Sequence, residues 1–285
     1  MKSSQAIAVL LVLIAMVSIQ SGASLAKHLF PIVGAQGTTA LRLTVAALLL
    51  MALWRPWRTK LSRNEKAGVI FYGCALGAMN FLFYLALERI PLGIAVAIEF
   101  TGPLGVAIFA SRRAMDFLWA LLAIVGILLI LPLTNLSAPL DPVGIIFALA
   151  AGGCWALYII FGQRAVGKTH AGIVTSLGMA AGALLVIPLG LAHAGTKLFD
   201  LSLAPMALGI GLLSSAIPYS LEMVALKRMP AKNFGILMSI EPAIGALSGY
   251  LLLGEWLTLL QWTAIACVIA ASLGSSLTQE RSQKG

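Results

Sequence analysis

ALERIPLGIAVAIEFTGP, residues 86–103, has a counterpart in ALKRMPAKNFGILMSIEP, residues 225–242. Ala86, Leu87, Arg89, Pro91 and Pro103 fall without a gap on Ala225, Leu226, Arg228, Pro230 and Pro242, a shift of 139. Earlier, TALRLTVAALLL (39–50) fits TSLGMAAGALLV (175–186) at a shift of 136. The chain therefore reads as two repeats, 1–138 and 139–285.

The repeat is written in apolar residues. The 285-residue chain is 60 % hydrophobic and 10 % charged, with a mean hydropathy of +0.98. Average soluble domains are about 25 % charged. Lipid is the solvent that suits such a chain, and a spanning helix needs about 20 mostly apolar residues. Ten runs qualify: 6–26, 38–53, 67–87, 92–109, 117–133, 143–161, 171–191, 204–225, 234–253 and 259–277. They are continuous rather than alternating, which argues for helices over barrel strands. The expected fold is an all-α integral membrane protein of ten transmembrane helices in two five-helix repeats. Lys2 before the first run also suits a signal peptide, but no clear A-x-A site follows, so the run reads as an uncleaved helix.

Five crossings per repeat is an odd number, so the two repeats are expected to lie in opposite orientations, as in many secondary transporters. Fifteen of the 19 Lys and Arg fall on one side of this arrangement. Lys27, Arg89 and Lys197 fall on the other, and Arg42 lies within a helix. The positive-inside rule then puts both termini in the cytoplasm. It also explains the net charge of +9 without nucleic acid.

Four ionisable residues interrupt the runs: Arg42, Glu99, Glu222 and Glu241. A charge at the bilayer centre costs about 2.5–3.5 kcal/mol on insertion scales. Protonating an ordinary glutamate at pH 7 costs about 3.7 kcal/mol. The two costs are comparable, so a glutamate there sits near the balance between its two forms, as a proton-coupled carrier needs. On the repeat alignment Glu241 falls on Gly102, three residues from Glu99, so the two glutamates share a face of equivalent helices. Pro103 and Pro242 each free a carbonyl nearby, which is tolerated where a helix lines a cavity. Glu222 shares a face with Pro218 and Tyr219; Asn80, Phe81 and Tyr84 share one in the third helix. The bland alternatives stay open. Arg42 is equally a structural counter-ion for the glutamates, and Asn80, Tyr84, Trp155, Tyr158 and Tyr219 are equally packing residues. Glu88, Asp116, Asp141 and Glu255 lie near helix ends and are expected to be solvated.

Gly73-xxx-Gly77, Gly178-xxx-Gly182 and Gly245-xxx-Gly249 permit close helix contact, within one chain or between chains. Cys74, Cys154 and Cys267 are dispersed in apolar runs and suggest neither disulfides nor a metal site. His28, His170 and His193 share no ligand spacing. No HExxH, G-x-S-x-G or P-loop is present. An enzyme, a cofactor and ATP-driven transport are not expected.

SIQSGASLAKHLFP (18–31), ALRL (40–43), LGIAVAIEFTGPL (92–104), SSAIPYSLEMVALKRMP (214–230) and MSIEPAIGALSGYLLLGE (238–255) together resemble the drug/metabolite transporter superfamily, EamA type. Within it they look like the threonine and homoserine exporter branch. The resemblance implies a bacterial inner-membrane exporter working by alternating access between two five-helix halves. It places the cavity among the third, fourth, eighth and ninth helices, here at Asn80, Tyr84, Glu99, Tyr219, Glu222 and Glu241, and Tyr158 joins them as a candidate. An amino acid offers an ammonium to Glu99 or Glu241 and a carboxylate to Arg42. Partners would be the amino acid, protons and lipid, and a monomer would suffice. A drug-type exporter of lipophilic cations would use the same glutamates but not Arg42. A membrane-embedded enzyme is the remaining alternative.

Overall fold

In lipid a backbone must satisfy its own hydrogen bonds, and the helix does so within one segment. The computed structural model describes residues 2–109, 114–130, 140–166, 170–226, 228 and 237–283, and among them there is no strand. The α-helices are α1 (Lys2–Lys27), α2 (Phe30–Trp54), α3 (Arg63–Leu87), α4 (Leu92–Glu99), α5 (Thr101–Phe109) and α6 (Ala114–Ile130). They continue with α7 (Pro142–Val166), α8 (Ala171–Ala194), α9 (Ala204–Gly211), α10 (Ile217–Leu226), α11 (Glu241–Leu253) and α12 (Leu259–Gln283). Among the described residues six segments are long and apolar enough to cross a bilayer: Ala6–Lys27, Phe30–Trp54, Arg63–Leu87, Pro142–Gly162, Gly172–Phe199 and Leu201–Glu222. Leu92–Val106, Phe117–Gly126 and Leu259–Gly274 are shorter apolar helices. Pro230 and the expected repeat boundary lie outside the described residues.

Two of the expected helices are interrupted. The run 92–109 breaks at Phe100, between α4 and α5. Pro103 has no N–H to give the Glu99 carbonyl. That carbonyl faces Gly152 of α7 so closely that a Cβ on Gly152 would lie 2.7 Å from it. A second interruption, at Ser239–Ile240, precedes α11, and Ser239 corresponds to Phe100 under the shift of 139. The run 204–225 is α9 and α10 joined by a π turn at Leu212–Ala216. Helix α2 starts at Phe30, eight residues before the expected run, and kinks at Gly34, whose φ of 70° a side chain rarely adopts.

The main packing pairs are α2 with α8, α3 with α7 and with α8, α6 with α12, α1 with α10, and α4 with α11. Small residues set these distances. Gly73 meets the Gly178 backbone and Gly77 meets Gly182, so two Gly-xxx-Gly stripes close on each other within the chain. Gly93 lies against Ala246 and Gly245 against Val96. Large apolar side chains such as Leu121, Ile146, Leu184 and Leu251 point outward. That inside-out distribution is what a lipid surround permits.

One end of the bundle is sealed. Leu29, Leu87, Ile90, Leu92, Ile94 and Ile145 are buried in one cluster there. Glu255 clasps this end and is not the solvated residue expected. Its Oε1 pairs with Lys27 Nζ at 2.7 Å, and its Oε2 accepts the Leu92 N–H at 2.7 Å. The negative charge thus caps the N-terminus of α4. Gly254, at φ 66°, turns the chain out of α11 to bring Glu255 there. Beside it Arg89 pairs with Asp141 at 2.8 Å. That hydrogen bond, and the Val143 N–H, hold the Asp141 carboxyl below the usual carboxylate range.

Candidate functional site

A cavity of about 420 Å³ opens beneath the sealed end, within the range of small-molecule sites. Its wall draws on α1, α2, α3, the α4–α5 break, α7, α10, the turn before α11, and α12. Arg42, Asn80, Glu99, Tyr158, Tyr219, Glu222 and Glu241 all line it. Residues far apart in sequence, one cation and three acids among them, thus share one chamber with Met79, Phe83, Phe100, Trp155 and Met238.

Glu99 ends α4 at the break and is buried. It has no hydrogen-bond or ion-pair partner among the described residues. Glu241 begins α11, where the helix dipole favours a carboxylate. Its Oε1 accepts from Gln20 Nε2 at 3.1 Å, and its buried Oε2 has no partner among the described residues. Glu222 lies three residues beyond Tyr219 on the cavity face of α10.

Arg42 is 4 % exposed. It forms no ion pair among the described residues. Its Nε donates to Ser215 Oγ at 3.3 Å and its Nη2 to the Ser214 carbonyl at 3.2 Å. Its guanidinium carbon lies 5.0 Å from the centre of the Tyr84 ring, a cation–π contact. Tyr84 is wholly buried and outside the cavity lining, so its place is behind Arg42. Asn80 donates Nδ2 to the Leu76 carbonyl at 2.8 Å. That bond fixes the amide, and Oδ1 has no partner among the described residues. Tyr158 shares its hydroxyl with Tyr72 at 3.2 Å, their rings 4.7 Å apart. Trp155 meets Phe100 edge to face at 5.5 Å.

The sequence reading passed over Gln20, the Ser214–Ser215 pair, and Ser272, which lines the cavity and hydrogen-bonds Ser239 at 2.8 Å. Gln20 carried a signal, being a glutamine inside an apolar run. The serines carried none, because a helix satisfies most serines by itself. Ser220, for example, donates to the Ala216 carbonyl one turn back. Among the described residues no cluster of His, Cys, Asp or Glu could hold a metal.

Residues 142–277 match the family model of the EamA-like transporter family. The chain is 51 % identical to the threonine/homoserine exporter RhtA of Salmonella typhimurium, over 96 % of this chain and 92 % of that protein. It is 50 % identical to RhtA of Escherichia coli K12, over 97 % and 93 %. An uncharacterized transporter of Archaeoglobus fulgidus is 28 % identical over 70 % of this chain and 73 % of its own. One solved crystal structure covers 96 % of this chain and 98 % of its own at a TM-score of 0.64 and 18 % identity, a likeness of fold alone.

Proposed function

This chain belongs to the EamA-like transporter family, and on that premise we propose that it exports small amino acids of the threonine and homoserine kind across the bacterial inner membrane. The observation that carries the reading is the polarity of the cavity. Among the described residues it offers Arg42 without a carboxylate partner, and Glu99 without a cationic one, in one largely apolar chamber. A zwitterion supplies both missing partners at once. A buried unpaired charge is costly, and a ligand that pairs it recovers part of that cost.

The transport cycle is alternating access between residues 1–138 and 139–285, ten spans in two inverted halves. Several features support that reading. Spans four and nine are interrupted at corresponding positions, Phe100 and Ser239. The helix pairing also has the right symmetry. Exchanging each span with the one five later maps α2–α8, α6–α12 and α4–α11 onto themselves and exchanges α3–α7 with α1–α10. Inverted halves provide two states of similar energy, one open to each side. The termini lie in the cytoplasm on the positive-inside rule. The sealed end is then the outer one, and its Lys27 and Arg89 are neutralised by Glu255 and Asp141. With both halves in one chain, a monomer completes the cavity.

Protons drive the cycle through Glu99 and Glu241. Each carboxylate holds a proton or faces the substrate ammonium, and the inward proton gradient makes the exchange export. Arg42, Asn80, Tyr158, Tyr219 and Glu222 complete the substrate and proton site, with Tyr84 supporting Arg42. Everted vesicles with an imposed pH gradient test this. Gradient-driven threonine uptake is expected to fall at least tenfold in Glu99→Gln or Glu241→Gln, while exchange without a gradient is less affected. Full gradient-driven flux in both variants would rule out carboxylate coupling. A cationic drug exporter is the second reading, and the Arg42 cation lining the cavity disfavours it.

A further inference from the structure

Between α9 and α10 five residues, Leu212–Ala216, form a π turn. A π turn adds one residue to the helix it interrupts and is frequent at functional sites. Two consecutive carbonyls of this turn accept side chains from other helices. Ser18 Oγ of α1 donates to the Leu213 carbonyl at 2.7 Å, and Arg42 Nη2 of α2 donates to the Ser214 carbonyl at 3.2 Å. Ser215 Oγ takes Arg42 Nε at 3.3 Å. Gly22 leaves room for the turn, since any Cβ there would strike the Ser214 hydroxyl and lie 2.8 Å from its amide nitrogen. The turn is thus gripped from α1 and α2 at once.

The consequence falls on Arg42. A guanidinium has five N–H donors in a rigid fork. Two of them, Nε–H and one at Nη2, are committed to the turn, and the Tyr84 ring backs the plane. Three donors have no partner among the described residues, on a side chain that lines the cavity. Such an edge matches a carboxylate in two-point contact. The extra residue also turns everything beyond it by about 100° relative to an unbroken helix. Tyr219 and Glu222 reach the cavity in that register.

We infer that Ser215 and the π turn, braced by Ser18, are the positioning device that aims Arg42 at the carboxylate of an α-amino acid. Ser215 does not touch the substrate; it acts through Arg42. The inference rests on the amino-acid reading above and adds to it the element that recognises the carboxylate.

The test uses the full-length protein in liposomes, exchanging labelled threonine against unlabelled threonine or threoninamide, which lacks the carboxylate. Wild-type protein is expected to prefer threonine. Ser215→Ala is expected to weaken threonine about tenfold, the size of one lost hydrogen bond to a charged group, and to leave threoninamide within twofold. Ser215→Thr keeps the hydroxyl and should restore the preference. Ser18→Ala, one contact further out, should move the ratio the same way by about threefold, and it decides the matter if Ser215→Ala does not fold. A wild-type threonine-to-threoninamide ratio in the variants, whether both ligands hold or both weaken together, overturns the inference while leaving amino-acid export intact. Wild-type protein that exchanges no small amino acid overturns both.

Discussion

Glu241 and Glu99 are both buried acids, yet their surroundings differ. Glu241 has a donor in Gln20, which reaches it across the interface between α1 and α11, whereas Glu99 has none among the described residues. Removing the donor should therefore be felt as stability as well as flux. Gln20→Leu leaves the Glu241 carboxylate buried without its one hydrogen bond, a loss of about 1–3 kcal/mol. Thermal unfolding in detergent should show a fall of several degrees, and Gln20→Asn should fall less. An unchanged midpoint in Gln20→Leu would mean that the bond contributes nothing. The acids were legible in the sequence because a charge in an apolar run has few reasons to be there. Tyr84 illustrates the limit of that reading. It shares a helical face with Asn80, but only the rotation of α3 decides that Asn80 meets the cavity while Tyr84 lies behind Arg42.

At the scale of elements, small residues and prolines decide the geometry. The Gly-xxx-Gly stripes were legible as close-contact faces, but not which stripe meets which. Sequence spacing fixes a face on one helix and says nothing of its partner. In the fold Gly77 opposes Gly182, with backbone on both sides and no flexible side chain to move aside. Gly182→Ala would force α3 and α8 apart, and overpacking of this kind costs about 1–3 kcal/mol. Gly105 of α5 provides the contrast, since a Cβ there meets nothing within 4 Å. Gly105→Ala should be neutral or slightly stabilising, because alanine favours the helix by about 1 kcal/mol. Unfolding of the two variants in one detergent checks the difference, and equal midpoints would contradict the crossing described here. The break at Phe100 was hidden inside a run long and apolar enough to read as one helix. Pro103 marked it, though from four residues downstream of the carbonyl it frees.

For the whole molecule, the open question is what holds one end shut, and the answer joins segments that no sequence pattern links. Glu255 reaches Lys27 across 228 residues and Leu92 across 163. One carboxylate thus ties the end of α1, the start of α4 and the turn after α11 over the buried apolar cluster. On the alternating-access cycle proposed above, such a tie weights the state closed at this end. Glu255→Gln keeps the shape but removes the ion pair and weakens the cap on α4. A half-buried pair with a second hydrogen bond is worth about 1–2 kcal/mol here, which converts to a factor of about 5–30 in the population open to the outside. Ala26 is fully buried at this end, so a cysteine placed there, in a chain with Cys74, Cys154 and Cys267 replaced by alanine, reports the opening. Labelling by an impermeant maleimide added outside intact cells should quicken at least fivefold in Glu255→Gln. Lys27→Met, which removes the pair but leaves the Leu92 cap, should show a smaller increase. Labelling that stays at the parent rate in both variants would show that the apolar cluster alone holds this end closed. Labelling only from the inner face would reverse the assigned orientation.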